Sequence, residues 1–366
     1  MTPLKVGLIG SGGISRAHMP AFLERKDDVT LTAVCDVRED AALAYAKDAG
    51  LDSGAAYTDI ENFLRNADIE AVDICTTHNT HHDLAVAAIQ AGKHVLLEKP
   101  MATSIAESRN IVEEAEKAGV TFMVAQMLRF LPHYQQARRI IESGELGEIW
   151  AARADSFFGA SIAGPGTIMT NDWWGFDREI CGGGALMMVA THQLDLLRYF
   201  VGDVRRVTAK WWTDNPVLKN GAEDRVISTL EFENGAIGTS ITSYSTRTPW
   251  HYQTLLLGEE GTIYTAPPEG GDVVAQHHAP ALVASKTRDG EAGWRMSESF
   301  EPVTNHMDGL VSEDNPFMNE IVHFARSIRN DVEPLSSGRQ NFNTMEVVHG
   351  IYESAATGQT VELPGF

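Results

Sequence analysis

The chain has 366 residues, 43% of them hydrophobic, which is enough to bury a sizeable core and predicts two domains. Its 29 basic residues against 50 acidic ones leave a formal charge of −21, which argues against nucleic acid or an anionic membrane as a partner. Cys35, Cys75 and Cys181 are too few and too scattered for a disulfide framework or a zinc site. With no basic-then-apolar leader and no uninterrupted apolar run of about 18 residues, a cytoplasmic protein is expected.

The first predicted element is a β-type run, Val6 to Ile9, within KVGLIGSGGISRAH. It meets Gly10, Gly12 and Gly13, and an amphipathic segment follows with Ile14, Ala17 and Ala21 at helical spacing. A strand that turns through glycines into a helix leaves the first helical N–H groups unpaired. Those donors and the positive end of the helix dipole suit a pyrophosphate. Gly10 permits the tight turn, Gly12 lets phosphates approach the backbone, and Ser15 is small enough for close helix–strand packing. Gly13 and Ile14 complete this turn as cofactor candidates. The second apolar run, Val29 to Cys35, ends in Asp36, 24 residues past Gly12. An acid there hydrogen-bonds ribose hydroxyls and repels a 2′-phosphate, so NAD is expected over NADP, with Arg38 weakening the preference.

Glu39 to Asp48 reads as a short helix, and Thr58 with Glu61 as a capping box opening a helix through Leu64. Ala71 to Cys75 is a strand ending in TTHNTHH, and Asp83 to Ala91 a helix closed by Gly92. His94 to Leu97 is a strand that delivers Glu98-Lys99-Pro100. Ser104 and Glu107 form a second capping box, whose helix runs to Ala118, and Val120 to Ala125 closes the series. Strand and helix alternate at βαβ lengths, which predicts a doubly wound parallel sheet over residues 1–125 with its ligand at the strands' carboxyl ends.

Beyond residue 126 the rhythm changes. Strand-like runs span Glu148 to Phe158, Val204 to Trp212, Arg225 to Glu233, Ala236 to Ser245 and Tyr252 to Leu257, with one long helix, Ala185 to Val201. The pattern predicts an open, largely antiparallel sheet in an α+β domain over 126–366. Helices near Pro316 to Arg329 and Phe342 to Ala356 close the chain, with the option of packing back on the first domain. The stretch from Pro267 to about Ser312 reads as a long excursion.

Two places carry chemistry. Lys99 is pinned at the carboxyl end of a strand, where an ammonium can hydrogen-bond a substrate hydroxyl and stabilise the alkoxide as hydride leaves. Gly182-Gly183-Gly184 brings backbone close to something and opens the helix carrying Met188, His192 and Asp195, whose steps of four and three share one face. His192 is the candidate general base, since an imidazole titrates near neutrality. Trp173 and Trp174 are candidates to wall the pocket, and Asp172 to hydrogen-bond hydroxyls. Arg129, Tyr134, Arg153 and Asp155 are further substrate candidates near the domain junction; Arg129 or Arg153 suits an anionic substituent, with surface or interdomain salt bridges the alternative. His78, His81 and His82 lack an acid or cysteine at useful spacing, so no metal is expected.

These residues resemble the glucose–fructose oxidoreductase / inositol dehydrogenase / MocA family. The resemblance rests on VGLIGSGGISRAH, TTHNTHH followed by AGKHVLLEKP, GELGEIWAARAD, GGGALMMVATHQLDLLRYFVG and VVHGIYESAATGQTVELP, and covers nearly the whole chain. It implies a Rossmann domain, an open-faced sheet domain used for dimer or tetramer contacts, NAD as cofactor, and catalysis by Lys99 with His192. It implies that Glu98, His81 and the Thr76/Thr77 turn line the cofactor, and Gln126 joins them. Two departures stand out: Met188, where relatives commonly carry an aspartate paired with the histidine, and Thr77, where relatives often have proline. Asp195 is the candidate replacement acid. The expected activity is oxidation of a secondary hydroxyl of a sugar, glycoside, sugar acid or cyclic polyol. A redox-neutral cycle on retained NAD and a non-enzymatic NAD sensor are the alternatives.

Overall fold

A computed structural model describes residues 2–159, 173–246, 251–265, 281–289, 301–302 and 309–365. The chain divides into two compact units, Met1–Phe130 with Gly309–Phe342, and Leu131–Asp308 with Asn343–Phe366. The first unit thus runs five residues past the expected boundary at 125 and takes back a later segment.

The first unit alternates β1 (Leu4–Ile9), α1 (Gly13–Glu24), β2 (Val29–Cys35), α2 (Glu39–Asp48), β3 (Ala56–Tyr57), α3 (Ile60–Asn66), β4 (Ala71–Ile74), α4 (His81–Gln90), β5 (His94–Glu98), α5 (Ile105–Ala118) and β6 (Phe122–Ala125). The strands form a parallel sheet in the order β3-β2-β1-β4-β5-β6, so the chain order reverses at β1/β4. Such a reversal opens a crevice beyond the strands' carboxyl ends. The capping box of α5 forms as expected: Ser104 Oγ accepts from the Glu107 N–H (3.2 Å), and the Glu107 carboxylate accepts from the Ser104 N–H (3.1 Å). At α3 the cap is Asp59 rather than Thr58, because the Asp59 carboxylate reaches the Asn62 N–H at 2.7 Å. The returning helix Pro316–Asn330 buries Met318, Ile321, Val322, Phe324 and Ala325 against Leu4, Val6, Phe22 and Val34 of this unit's core.

Among the described residues the second unit is built on a nine-stranded sheet whose one parallel pair, between Ile149–Gly159 (β7) and Ile237–Thr246 (β10), lies among antiparallel neighbours. Val204–Trp212 (β8), Arg225–Phe232 (β9) and His251–Gly258 (β11) follow the expected runs within a residue or two. Gly261–Thr265, Ala281–Ser285, Glu301–Pro302 and Val361–Glu362 extend the sheet at its edges, two of them inside the stretch read as a loop excursion. A helix at Pro132–Glu142 (α6) and a short one at Arg178–Cys181 (α7) lie outside the predicted elements. The long helix is two pieces: a π-turn over Leu186–Ala190 and α8 (Thr191–Val201). The helical run 178–201 is apolar and long enough by composition to cross a membrane, but it is buried along most of its length, as a core helix is.

Candidate active site

In the first unit the glycine turn has the form its sequence requires. Gly10 sits at φ +89, where an added Cβ would lie 2.6 Å from the Cys75 carbonyl oxygen. Only glycine fits both the backbone and the space. Beside Gly12 and Gly13 there is nothing within 4 Å of a Cβ, so the N-terminus of α1 faces open space. Among the described residues no side chain caps that helix end, which leaves its N–H groups available to an anionic ligand. Ser15 is buried and donates to the Gly12 carbonyl (2.7 Å), so the third small residue packs as expected. Ile14 stands at the rim, 36% exposed.

Asp36 closes this end of the turn. One carboxylate oxygen accepts from the Ser11 N–H (2.9 Å) and hydroxyl (2.7 Å), the other from the Arg38 N–H (2.9 Å). Burial alone would raise its pKa; the donors of Arg38 and Ser11 outweigh that and hold it below the usual range. A carboxylate at the tip of β2, beside the phosphate turn, fits adenosine ribose hydroxyls and disfavours a 2′-phosphate. Open glycines, free helix N–H groups and this acid together fit NAD.

Residues Thr76, Thr77, His81, Glu98 and Lys99 gather at the ends of β4 and β5. His81 ties the two turns together, its Nδ1 lying 2.8 Å from the Pro100 carbonyl and its Nε2 3.2 Å from that of Thr76. Burial pushes its pKa down against the upward pull of those two carbonyls. Thr80 Oγ bonds Thr76 Oγ (2.8 Å) and Thr77 Oγ bonds Asn79 (2.9 Å), which shapes the turn without a proline at 77. The Lys99–Pro100 peptide is cis. Lys99 is half-buried; desolvation lowers its pKa against the opposing pull of Glu98. An ammonium so placed gives up its proton more readily than a solvated lysine.

Gln126 is buried at the end of β6, where its Nε2 donates to Asn341 (3.0 Å). Arg129 is also buried, and its guanidinium donates to the Leu335 carbonyl (2.6 Å) and Gln340 (2.8 Å), tying the segment after β6 to the returning chain. That commitment accounts for Arg129 without an anionic substrate.

In the second unit the triple glycine does approach something closely, and the partners are the protein's own. A Cβ on Gly183 would strike the Tyr352 hydroxyl at 1.8 Å, and one on Gly184 the Glu223 carbonyl oxygen at 2.1 Å. Glu223 then caps the helix: its carbonyl accepts from the Ala185 N–H (2.9 Å) and its carboxyl from the Leu186 N–H (2.8 Å) and the Tyr352 hydroxyl (3.0 Å). The glycines set the helix start by packing, and so place His192.

Met188 packs with Phe158, Phe176, Val189 and Tyr244, and Trp173 and Trp174 lie half-buried on the same cluster. The indoles are 5.5 Å apart by centroid, and Trp173 meets Phe176 edge-on at 5.0 Å. They are therefore part of an aromatic wall rather than isolated sugar platforms. His192 stands edge-on to Tyr252 at 6.1 Å, and Tyr252 packs on that wall too. Asp195 Oδ1 accepts from Thr344 (3.0 Å), which anchors α8 to the last long helix, Gly338–Thr357. Arg153 and Asp155 pair with each other along β7 (2.7 Å). Tyr134 is buried. Asp172 lies outside the described residues.

Sequence reasoning passed over three groups: His18, Asp73 and Glu320, all fully buried in the first unit beside Glu98. One signal was available, since an acid in the middle of the apolar strand Ala71–Cys75 is a rare choice for a residue covered on both faces.

Two family models match the chain: an oxidoreductase family with an NAD-binding Rossmann fold over residues 4–126, and the GFO/IDH/MocA C-terminal domain over 134–264. The chain belongs to the Gfo/Idh/MocA oxidoreductase family. It is 30% identical over 292 residues to levoglucosan dehydrogenase of Pseudarthrobacter phenanthrenivorans, covering 72% of this chain and 73% of that one. It is 26% identical to D-glucoside 3-dehydrogenase of Escherichia coli over 99% of this chain and 98% of the relative. The solved structure of a levoglucosan dehydrogenase in complex with NADH superimposes with a TM-score of 0.83 at 25% identity over the full length of both chains. For this Gfo/Idh/MocA oxidoreductase the cofactor is NAD, in keeping with the open glycine turn and Asp36.

Proposed function

We propose that this chain is an NAD-dependent dehydrogenase that oxidises a secondary hydroxyl of a sugar, glycoside, sugar acid or cyclic polyol. The observation that carries the reading is the glycine turn, open at Gly12 and Gly13 and closed by Asp36, in a chain whose relatives are sugar and glycoside dehydrogenases. Bound NAD supplies the hydride acceptor. Lys99, with its lowered pKa, is assigned to the substrate hydroxyl, where it steadies the developing alkoxide. His192 is assigned the proton. Tyr252, Trp173 and Trp174 offer apolar and indole surface suited to a sugar ring.

The test is a screen for NAD reduction over levoglucosan, D-glucosides, sugar acids and myo-inositol. At least one should yield NADH, and Lys99→Ala should abolish turnover while calorimetry finds NAD binding within about twofold of the wild type. Turnover unchanged by the substitution removes Lys99 from the mechanism.

Met188 favours a second reading. A thioether packed among aromatic rings cannot orient an imidazole, so a redox-neutral cycle on retained NAD, cleaving a glycoside by transient oxidation and elimination, is the alternative. NAD that survives gel filtration, with cleaved glycoside and no net NADH, selects it.

We further propose a homodimer or homotetramer formed through the sheet of the second unit, where Trp150 (57%), Ile227 (47%) and Ile237 (45%) are exposed. Light scattering should report a mass at least twice 40.0 kDa. Among the described residues none of the three cysteines forms a disulfide and all are buried, which suits a reducing cytoplasm.

A further inference from the structure

Below the Lys99 turn lies a chain of buried polar groups. His18, on α1, has its Nδ1 2.8 Å from an Asp73 carboxyl oxygen and its Nε2 3.2 Å from Glu98 Oε1. The other Glu98 oxygen accepts the Lys99 backbone N–H at 3.0 Å. Each ring nitrogen thus faces an oxygen acceptor, and only the doubly protonated imidazolium satisfies both. Around the ring stand Cys75, its Sγ 3.6 Å away, the Glu320 carboxyl at 3.9 Å and the Phe317 ring at 5.6 Å. Burial alone would push the His18 pKa down, but Asp73 and Cys75 outweigh it and hold it well above the usual range. Burial raises Glu320 well above the carboxylate range, so it is a neutral acid. Neither Glu320 oxygen has a hydrogen-bond partner among the described residues.

These are also donor types that a metal takes. Between His18 and Asp73 the spacing argues for a proton instead: two ligands each about 2 Å from a tetrahedral zinc lie about 3.3 Å apart. The nitrogen and oxygen of His18 and Asp73 are at hydrogen-bond distance, 2.8 Å.

We propose that His18 is a positioning residue which, through Glu98, sets the place and the ionisation of Lys99. The proposal rests on Lys99 as the proton-handling residue. Asp73 fixes the ring, the ring fixes the Glu98 carboxyl, and Glu98 holds the first peptide of the turn that carries the ammonium. Glu98 is also the group that opposes the effect of desolvation on Lys99. Without its His18 donor the Glu98 carboxyl is free to turn away from the Lys99 turn, and Lys99, parted from that opposing charge, deprotonates at lower pH.

The experiment needs no substrate. Competitive acetylation of Lys99 against pH, read by mass spectrometry on the full-length protein, reports its titration midpoint. His18→Asn cannot reach Glu98 and should lower the midpoint by about one pH unit. His18→Gln keeps an N–H in the Nε2 position and should leave it within about 0.3 units of the wild type. A merely structural role for the ring moves both variants alike, and equal midpoints, or an upward shift in His18→Asn, overturn the proposal. Should either variant fail to fold, NMR of histidine-labelled wild-type protein decides: an imidazolium at pH 8 supports it, and a neutral ring overturns it. With an active sugar in hand, His18→Asn should lower kcat about tenfold to a hundredfold with NAD affinity unchanged. An inactive Lys99→Ala beside a fully active His18→Asn overturns this inference alone, whereas an active Lys99→Ala removes the reading beneath it.

Discussion

Gly10 and Gly12 sit two residues apart in one turn, yet different forces require them. At Gly10 the backbone is left-handed and a Cβ would meet the Cys75 carbonyl, so Gly10→Ala should cost at least about 2 kcal/mol in urea unfolding. At Gly12 the backbone is extended, with φ −76, and the space is open, so Gly12→Ala should leave stability unchanged. Its added methyl would stand where phosphates approach, and NAD affinity should fall about tenfold or more by calorimetry. A Gly12→Ala that binds normally would mean the turn does not hold a pyrophosphate, and a stable Gly10→Ala that the turn does not close on Cys75. Both glycines were readable because their constraint lies within one strand–turn–helix unit. The setting of His18 was not, because Glu320 lies 302 residues further along and only folding brings it within 3.9 Å. Nor does a sequence reveal that Met188 belongs to an aromatic cluster.

The α5 capping box shows why the first unit was legible almost element by element. Ser104 and Glu107 exchange bonds with each other's backbone, and nothing distant is needed. Ser104→Ala should cost about 1 kcal/mol. A double variant with Glu107→Ala should cost less than the two single changes added, since each partner supports the same box. A loss of less than a few tenths of a kcal/mol would mean the helix start is held by its packing. Where signals compete locally, the reading slips by a residue, as when Asp59 takes the cap expected of Thr58. Edge strands such as Glu301–Pro302 are two residues long and exist through pairing with Ala281–Ser285, so no local pattern announces them. The π-turn escaped for another reason. A period of 3.6 placed Met188, His192 and Asp195 in phase, but five residues of wider winding precede α8. Thr191 Oγ bonds the Leu186 and Met187 carbonyls there, at 3.3 and 2.7 Å, and helps satisfy what the wider turn leaves open. π-turns of this kind collect at functional sites, and this one lies directly before His192.

The stability of the whole molecule should depend on pH through His323, in the helix Pro316–Asn330. Its Nε2 accepts the Leu335 N–H at 2.9 Å, which requires a neutral ring. Burial, then Arg326, pushes its pKa down to about 4 from an ordinary 6.5. Between those values the unfolded chain binds the extra proton, so stability is lost as pH falls from about 6.5 to about 4, by at most about 3 kcal/mol. Urea unfolding at pH 7 and pH 4.5 should show the loss, and His323→Gln should flatten it. A slope unchanged in the variant would assign the pH dependence to other groups. The same helix has another consequence. Its apolar side completes a core begun more than 290 residues earlier, so the cofactor-binding half of this protein is not a contiguous cassette. A fragment ending at Phe130 would leave Leu4, Val6 and Phe22 wet. Anyone grafting this half onto a relative must therefore transplant two stretches of gene, and a ribosome must pass the helix Pro316–Asn330 before that half can close.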